Sequence, residues 1–558
     1  MESKVENKSK ICPVPPGTKI GLNWHLKPRT IMVVSLTFIL TTTGLVYYLM
    51  RLPPSPPSPL PIPQPPTPLQ LTPHGAIAID GDVNFSDTAL LEGWPGNGSP
   101  EDPYIINGLE IDLGGEEGHC LFINNTRVSF TISNCHLTGG STGWWEVAGI
   151  YLENVTNSEL VNNICNNNSI GILIHNSTYN NVANNTCNSN FNGIELQESH
   201  LNDVVDNTCT SNMQGIVLVS SDSNTVTDNT CTSIGREPGC KMREGISLYW
   251  GSDSNTVTDN ICNNNDQGIV LNEADSNTLA NNTCNSNYVV GIELEYESNN
   301  NTITNNTCNS NRDGILIQES SDNTVSNNTC NDNWSGISYH MSRDDTTLNN
   351  TCNNNTVHGI HFLNAFSATV VNNTCIGNGW PGIRLELAHY NTVANNTCFN
   401  NWVGILLDWS DSNTVTTNIC YNNTVGIIIY DSYLNTLVIN ICNDNWAGIS
   451  VEISRSNTVE NNDCSNNHIG IDLDNSDSNT LAYNDCSNNH IGINLFESYS
   501  NNLYGNDFSG SEFDIIRNYE PMKSDPLAFL MTLQVAGLIL LVAGWRIVSL
   551  SRLESKGE

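Results

Sequence analysis

The chain has 558 residues and carries 57 Asp and Glu against 20 Lys and Arg, a formal net charge of −37 at pH 7. Phosphate binding needs Lys and Arg, so this balance disfavours nucleic acid as a partner; it suits cations, a saline medium or simple solubility. Nineteen cysteines are present, yet none stands in a Cys-x-x-Cys pair, which removes the usual zinc or iron–sulfur reading.

Residues 1–29 contain six basic residues, from Lys4 to Arg29, and read as a cytoplasmic tail. Residues 30–50 are apolar and long enough to span a bilayer. The basic flank before them predicts an N-terminus inside the cell. A cleaved signal peptide is the alternative, but Leu45–Met50 offers no small-residue cleavage site. Residues 51–73 are proline-rich and form a stiff spacer.

From residue 74 to residue 526 the chain becomes globular, and most of that stretch is one repeated unit of about 22 residues. Cysteine recurs at Cys165, Cys187, Cys209, Cys231 and onward to Cys486. The dipeptide Gly-Ile occurs sixteen times in this stretch, with Gly171, Gly193 and Gly215 among its glycines. Asn stands two residues before the cysteine at Asn163, Asn185 and Asn207 and in the units that follow. The apolar runs are short and alternate, as in Gly171-Ile172-Leu173-Ile174-His175, and turn formers separate them. Three residue types locked to one period predict stacked coils of about three short parallel strands each. The coils repeat at about 4.8 Å. Like residues then stack into ladders: apolar groups and thiols inward, Asn at a bend, and Gly allowing the tight corner before each Gly-Ile strand.

Departures from the period fall at one corner. The step from cysteine to the next glycine is usually six residues. It becomes fourteen between Cys135 and Gly149 and between Cys231 and Gly245. Aromatic residues gather at the same corner: Trp144, Trp145, Phe191, Tyr288, Trp334, Trp380, Trp402 and Trp446. The second long loop adds Arg236, Lys241 and Arg243. Residues 509–520 are expected to cap the far end. Residues 527–545 form a second apolar span, and residues 546–558 a basic tail that also belongs inside. Asn-x-Ser/Thr sequons at Asn84, Asn97, Asn154, Asn333 and Asn422 suit an exposed glycoprotein.

The pattern Asn-Thr-Val-x-x-Asn-x-Cys-x-x-Asn-x-x-Gly-Ile-x-Leu resembles the right-handed parallel β-helix repeats of NosD-like proteins. These belong to a wider class of carbohydrate-binding and sugar-hydrolysing β-helices. The stretch from Trp94 to Ile106 resembles the opening segment of archaeal surface β-helix proteins, where it closes the first coil. The resemblance implies an all-β, right-handed, single-stranded parallel β-helix, here flanked by two transmembrane helices. It leaves function open, because this fold hosts enzymes, adhesins and metal-site maturation factors.

Two sets of residues are candidates for chemistry. The corner tryptophans Trp144, Trp145, Trp334, Trp380, Trp402 and Trp446, with Arg236, Lys241 and Arg243, suit a polysaccharide or surface glycan, because sugar C–H faces pack on indoles. On the outward strand face, Glu386 and Asp408 share one column on consecutive coils, with His361 and Arg384 close by. Paired carboxylates split their pKa values and serve as acid and base. The first set supports non-catalytic recognition of polysaccharide at a cell surface. The second supports a membrane-tethered polysaccharide lyase or glycoside hydrolase, and an envelope spacer or adhesin is the third reading. Copper-site maturation is disfavoured, because methionines and histidines are scattered. Acidic turns such as Ser221-Asp222-Ser223-Asn224 are compatible with calcium and equally with Asx turns.

Overall fold

The computed structural model of the chain describes residues 71–140, 147–233 and 243–518. Both apolar spans, the proline-rich linker, the two tails and the residues Trp144, Trp145, Arg236 and Lys241 lie outside them. Among the described residues no helix is long and apolar enough to cross a membrane.

Most coils contribute one six-residue strand around the Gly-Ile pair, shortened to four residues at Ile360–Leu363 and Ile383–Glu386, and these strands stack in parallel without a shift. Ile170–His175 pairs with Asn192–Gln197, setting Ile172 against Ile194 and Leu173 against Glu195. This first sheet holds nineteen described strands, and a second, of three-residue strands such as Asn181–Ala183, holds eighteen. The third column, which carries the cysteines, is a strand pair in places, as where Cys209 meets Cys231, and single bridges elsewhere. The result is a parallel β-solenoid. Its core is one continuous column of Ile, Leu, Val and Cys, with Ile172, Ile174, Val182 and Cys187 all fully buried. The seventeen described cysteines are free thiols, all buried. Burial pushes Cys120 to about 12 and Cys135 to about 11.

The corners are not made by the repeat glycines, which correct the expectation above. The Gly-Ile glycines keep ordinary φ; they are glycine because nothing else fits. A Cβ on Gly359 would lie 3.0 Å from both the Asn378 amide nitrogen and the Cys375 sulfur. The chain turns instead at four left-handed residues per coil, for example Asn176, Tyr179, Asn184 and Ser189, with φ between 46° and 58°. This region is costly for most side chains and least so for Asn and Asp.

The residue after each left-handed turn points inward and is hydrogen-bonded. Three of these four positions form Asn ladders and the fourth a Ser ladder. Asn207 Oδ1 accepts the backbone N–H of Asn185 at 2.9 Å and its side-chain N–H at 3.0 Å. The Asn207 amide in turn donates to the Val182 carbonyl at 2.8 Å and to Asn229 Oδ1 at 3.0 Å. The corner amides and carbonyls are thus satisfied inside the core, where an orphan costs roughly 1–3 kcal/mol. One expected glycosylation site is lost to these ladders. Asn333 is 1% exposed and donates to the Cys308 carbonyl, whereas Asn84, Asn97, Asn154 and Asn422 are exposed.

Both ends differ from expectation. The open core at the first coil is plugged by a helix, Gly81–Glu92, which buries Phe85 and Ala89. Phe85 stacks on Tyr104 and packs on Phe130 and Trp94. The segment from Trp94 to Ile106 therefore closes the coil together with a helix that its own residues did not announce. Asp82 fixes that helix by accepting the Thr126 hydroxyl and the Arg127 N–H, both at 2.8 Å. At the far end, Phe513–Asn518 adds another strand on Ile491–Phe496, where a cap was expected.

One ladder is broken in the middle of the rod. Asp345 stands where the neighbouring coils have Asn, and Ala368 follows it. Its Oδ1 accepts the Asn323 N–H at 2.9 Å, and burial pushes its carboxyl from 3.8 to about 7. A raised carboxyl destabilises the fold as pH climbs from about 4 to about 7, and fully above that. Asp345→Asn is therefore expected to raise the thermal midpoint by several degrees at pH 8 and by little at pH 4, as read by circular dichroism.

Candidate functional site

The outward face of the first sheet is three columns wide, not two. The second and fourth residues after each glycine point out, as the alternation predicts. The residue before each glycine also turns outward, because the strand bends at the glycine. The three columns bond to one another: Asn192 to Glu195 at 2.7 Å, Ser338 to Asp313 at 3.1 Å, and Gln197 to Glu195 at 2.6 Å. This floor is recessed; Arg384 in the middle column is only 9% exposed. The corner aromatics form one lip. On the other side, the residue fifth after the glycine forms a second row, with exposed Trp250, Tyr296, Met341 and Trp409 in the left-handed region.

The structure brings the four catalytic candidates together. His361 Nε2 lies 3.3 Å from Glu386 Oε2, and Arg384 reaches Glu386 at 3.1 Å and Asp408 at 2.6 Å. Two histidines join them. His358, in the column before the glycine, packs on His361 with ring centroids 4.7 Å apart, and His340 meets His361 at 6.2 Å. Burial lowers all three: His358 well below the usual imidazole range, His361 less far, and His340, with help from His361, to about 4. They are neutral at pH 7. Reading the column before the glycine would have found His358.

Elsewhere the floor alternates: it is apolar around Ala148, Tyr151, Ile170 and Leu173 and acidic at other coils. Burial pushes Glu293 to about 7. Towards the far end, Glu452 is the register partner of Asp474, and Asp472 stands on the same strand. Burial raises Glu452 to about 7 and Asp472 to about 6, against hydrogen bonds from Ser450 and Asn494. The spacing gave no reason to single out Glu452.

The aromatic corner is a lip of this same floor and not a separate surface. Trp380 sets its edge against His358 at 6.3 Å and meets Trp402 at 5.8 Å. Trp446 stacks on His468 at 4.0 Å, which stacks on His490 at 4.7 Å. Trp334 is apart from these. It lines a cleft of about 590 Å³ with Tyr288, Arg243, Arg312 and Asp266, floored by the exposed Asn264, Ser286 and Ser310. Tyr288 is 64% and Trp334 55% exposed. Arg312 was not among the expected residues, although it occupies the corner position of Trp334 one coil earlier. The acidic turns hold one another's backbone. Asp222 accepts the Asp253 N–H at 3.0 Å, Asp253 that of Asp275 at 2.7 Å, and Asp275 that of Asn299 at 2.7 Å.

Removing the cation from the central cluster tests its role in holding the floor. Breaking such a pair on one side costs roughly 3 kcal/mol. Arg384→Met is expected to lower unfolding free energy by about that amount at pH 7, and by less near pH 3, where carboxylates are protonated. Urea titration at the two pH values reads the difference.

Comparison with known proteins adds a family. The family model described as "Periplasmic copper-binding protein (NosD)" matches residues 115–240, 233–380, 296–407 and 382–519. No curated protein matches the sequence. Among solved structures, the Azotobacter vinelandii mannuronan C-5 epimerase AlgE4 A-module is 16% identical, with a TM-score of 0.35, over 59% of this chain and 89% of that one. A variant of the periplasmic alginate epimerase AlgG is 16% identical, with a TM-score of 0.32, over 61% and 78%. PfbA, a surface adhesin of Streptococcus pneumoniae, is 14% identical, with a TM-score of 0.31, over 64% and 87%. None of these three likenesses carries a functional argument.

Copper wants imidazole, thiolate or thioether donors converging on one point. Among the described residues no group of three or more His, Cys, Asp or Glu is arranged to hold a metal ion. The ladder thiols are buried in the core, and His361 is engaged by Glu386. The described residues do not fit copper.

Proposed function

We propose, for a chain that belongs to the periplasmic copper-binding protein (NosD) family, that the β-helix recognises polysaccharide at a cell surface. The observation that carries this is the corner cleft. Two exposed aromatic side chains, Tyr288 and Trp334, flank a polar floor that includes the exposed Asn264, Ser286 and Ser310. Flat rings suit the C–H faces of sugars, and fixed amides suit their hydroxyls. The apolar stretches at 30–50 and 527–545, each flanked by basic residues, support two membrane anchors with both termini in the cytoplasm and the β-helix outside. Cleavage of the polysaccharide is the second reading, and the His361–Glu386 contact favours it. Binding is preferred, because Arg384 already bridges both carboxylates of that cluster.

The test is a glycan array probed with the full-length protein in detergent. Trp334→Ala and Tyr288→Ala are each expected to weaken the strongest signal at least tenfold. Trp446→Ala, in the stack with His468 away from the cleft, should leave it within twofold. Absence of any saturable glycan signal from the wild-type protein would sink the reading.

A further inference from the structure

Cationic side chains are scarce on this solenoid, and their placement is uneven. The described residues contain seven arginines and no lysine. Arg384 is bridged between Glu386 and Asp408. Arg343 lies over the Phe366 ring, 5.3 Å from its centre. Two others, Arg243 and Arg312, line the same cleft as Tyr288 and Trp334.

The environment of Arg312 differs from that of Arg384. The Arg312 side chain is 64% exposed, and the carboxylate it approaches, Asp313, is 3.9 Å away. Asp313 is turned to Ser338, whose hydroxyl donates to it at 3.1 Å, and burial holds its carboxyl above the usual range. Arg243 sits deeper. Its guanidinium donates to the Ser233 hydroxyl at 3.1 Å, and its backbone N–H is received by the Asp266 carboxylate at 3.0 Å. The lining of the cleft thus has two guanidinium groups, Arg243 and Arg312, and one carboxylate, Asp266, on a protein that is otherwise strongly negative.

That contrast selects among ligands. A net charge of −37 repels anions over most of the surface. A neutral sugar needs no exposed guanidinium, since amides and hydroxyls serve its hydroxyl groups. A planar guanidinium fork matches a carboxylate or a sulfate and holds it with two parallel hydrogen bonds. We infer that the glycan received by this cleft is anionic, its carboxylate or sulfate held by Arg312 with Arg243 behind it and its ring packed on Trp334 and Tyr288. This rests on the glycan-recognition reading above and adds the chemical class of the ligand.

The experiment uses full-length protein in detergent micelles and calorimetric titration with two matched pairs of oligosaccharides. One pair is an oligogalacturonate and its methyl ester; the other is a sulfated galactan oligomer and its desulfated parent. The charged member of at least one pair is expected to bind at least tenfold more tightly than its neutral partner, and which pair responds tells carboxylate from sulfate. Arg312→Gln should remove that advantage, weakening binding of the charged member at least tenfold. Arg312→Lys, which keeps the charge and loses the fork, should restore only part of it. Arg312 is exposed, so the thermal midpoint of both variants should match that of the wild type, and a lowered midpoint would overturn its assignment as a ligand-holding residue. Equal binding of charged and neutral members, or an Arg312→Gln variant that still prefers the anion, would overturn the inference while leaving glycan recognition standing. Failure of every one of the four sugars, together with a silent glycan array, would overturn both.

Discussion

The interaction on which the rest depends is the buried asparagine at the inside of each corner. A coil of about 22 residues must reverse direction several times, and each reversal passes through a left-handed residue. Such a turn leaves backbone groups facing the interior, away from water. The Asn that follows receives a backbone N–H from the coil before it and donates to a carbonyl of that same coil, as Asn207 does with Asn185 and Val182. Stacked amides also bond to one another, so each coil is satisfied only when its neighbours are in place. The stability of such a rod is shared between neighbours. The interruption at Asp345 and Ala368 is therefore felt locally, and it falls on the coils that carry His340, His358 and His361.

Because the inside is so tightly specified, variation is left to the outside. The outward columns share no consensus: consecutive coils show Glu293, Leu316, Ser338, His361, Arg384 and Leu406 in one register. The backbone sets these side chains about 4.8 Å apart whatever they are. A recessed floor therefore arises without any local signal for it, and its chemistry changes along the rod. It is acidic at Glu293, mixed around Arg384, and acidic again at Glu452 and Asp472. Burial, more than any single neighbour, holds protons on the carboxyls at the two ends. In the middle the same burial keeps the histidines neutral.

The lip and the floor belong together. Trp380 touches both Trp402 and His358, so an extended ligand lying along the corner would also meet the polar columns. The cleft at Tyr288 and Trp334 joins two exposed aromatic side chains to two arginines. On the proposed reading, recognition there and packing at Trp446 are two uses of one corner position, separated by what the adjacent coil supplies.

The sequence by itself determined the period, the parallel stacking, the inward Ile, Leu and Cys, and the columns that place Glu386 beside Asp408. These follow from repetition: a unit copied sixteen times reports its own geometry. It also held every Asn ladder, yet only the one beside the cysteine was legible, because a single Asn can serve a turn, a ladder or a sequon. Asn333 shows how the three are confused. Only the tertiary structure decided why each Gly-Ile glycine is glycine, since the reason is the next coil's glycine carbonyl, with its cysteine and asparagine, filling the place a Cβ would take. It alone turned the residue before the glycine outward and so added His358 to the cluster. It alone showed that Arg312 and Trp334 line one cleft with Arg243 and Tyr288. Those outcomes depend on contacts between coils, which a one-dimensional period locates but does not fill.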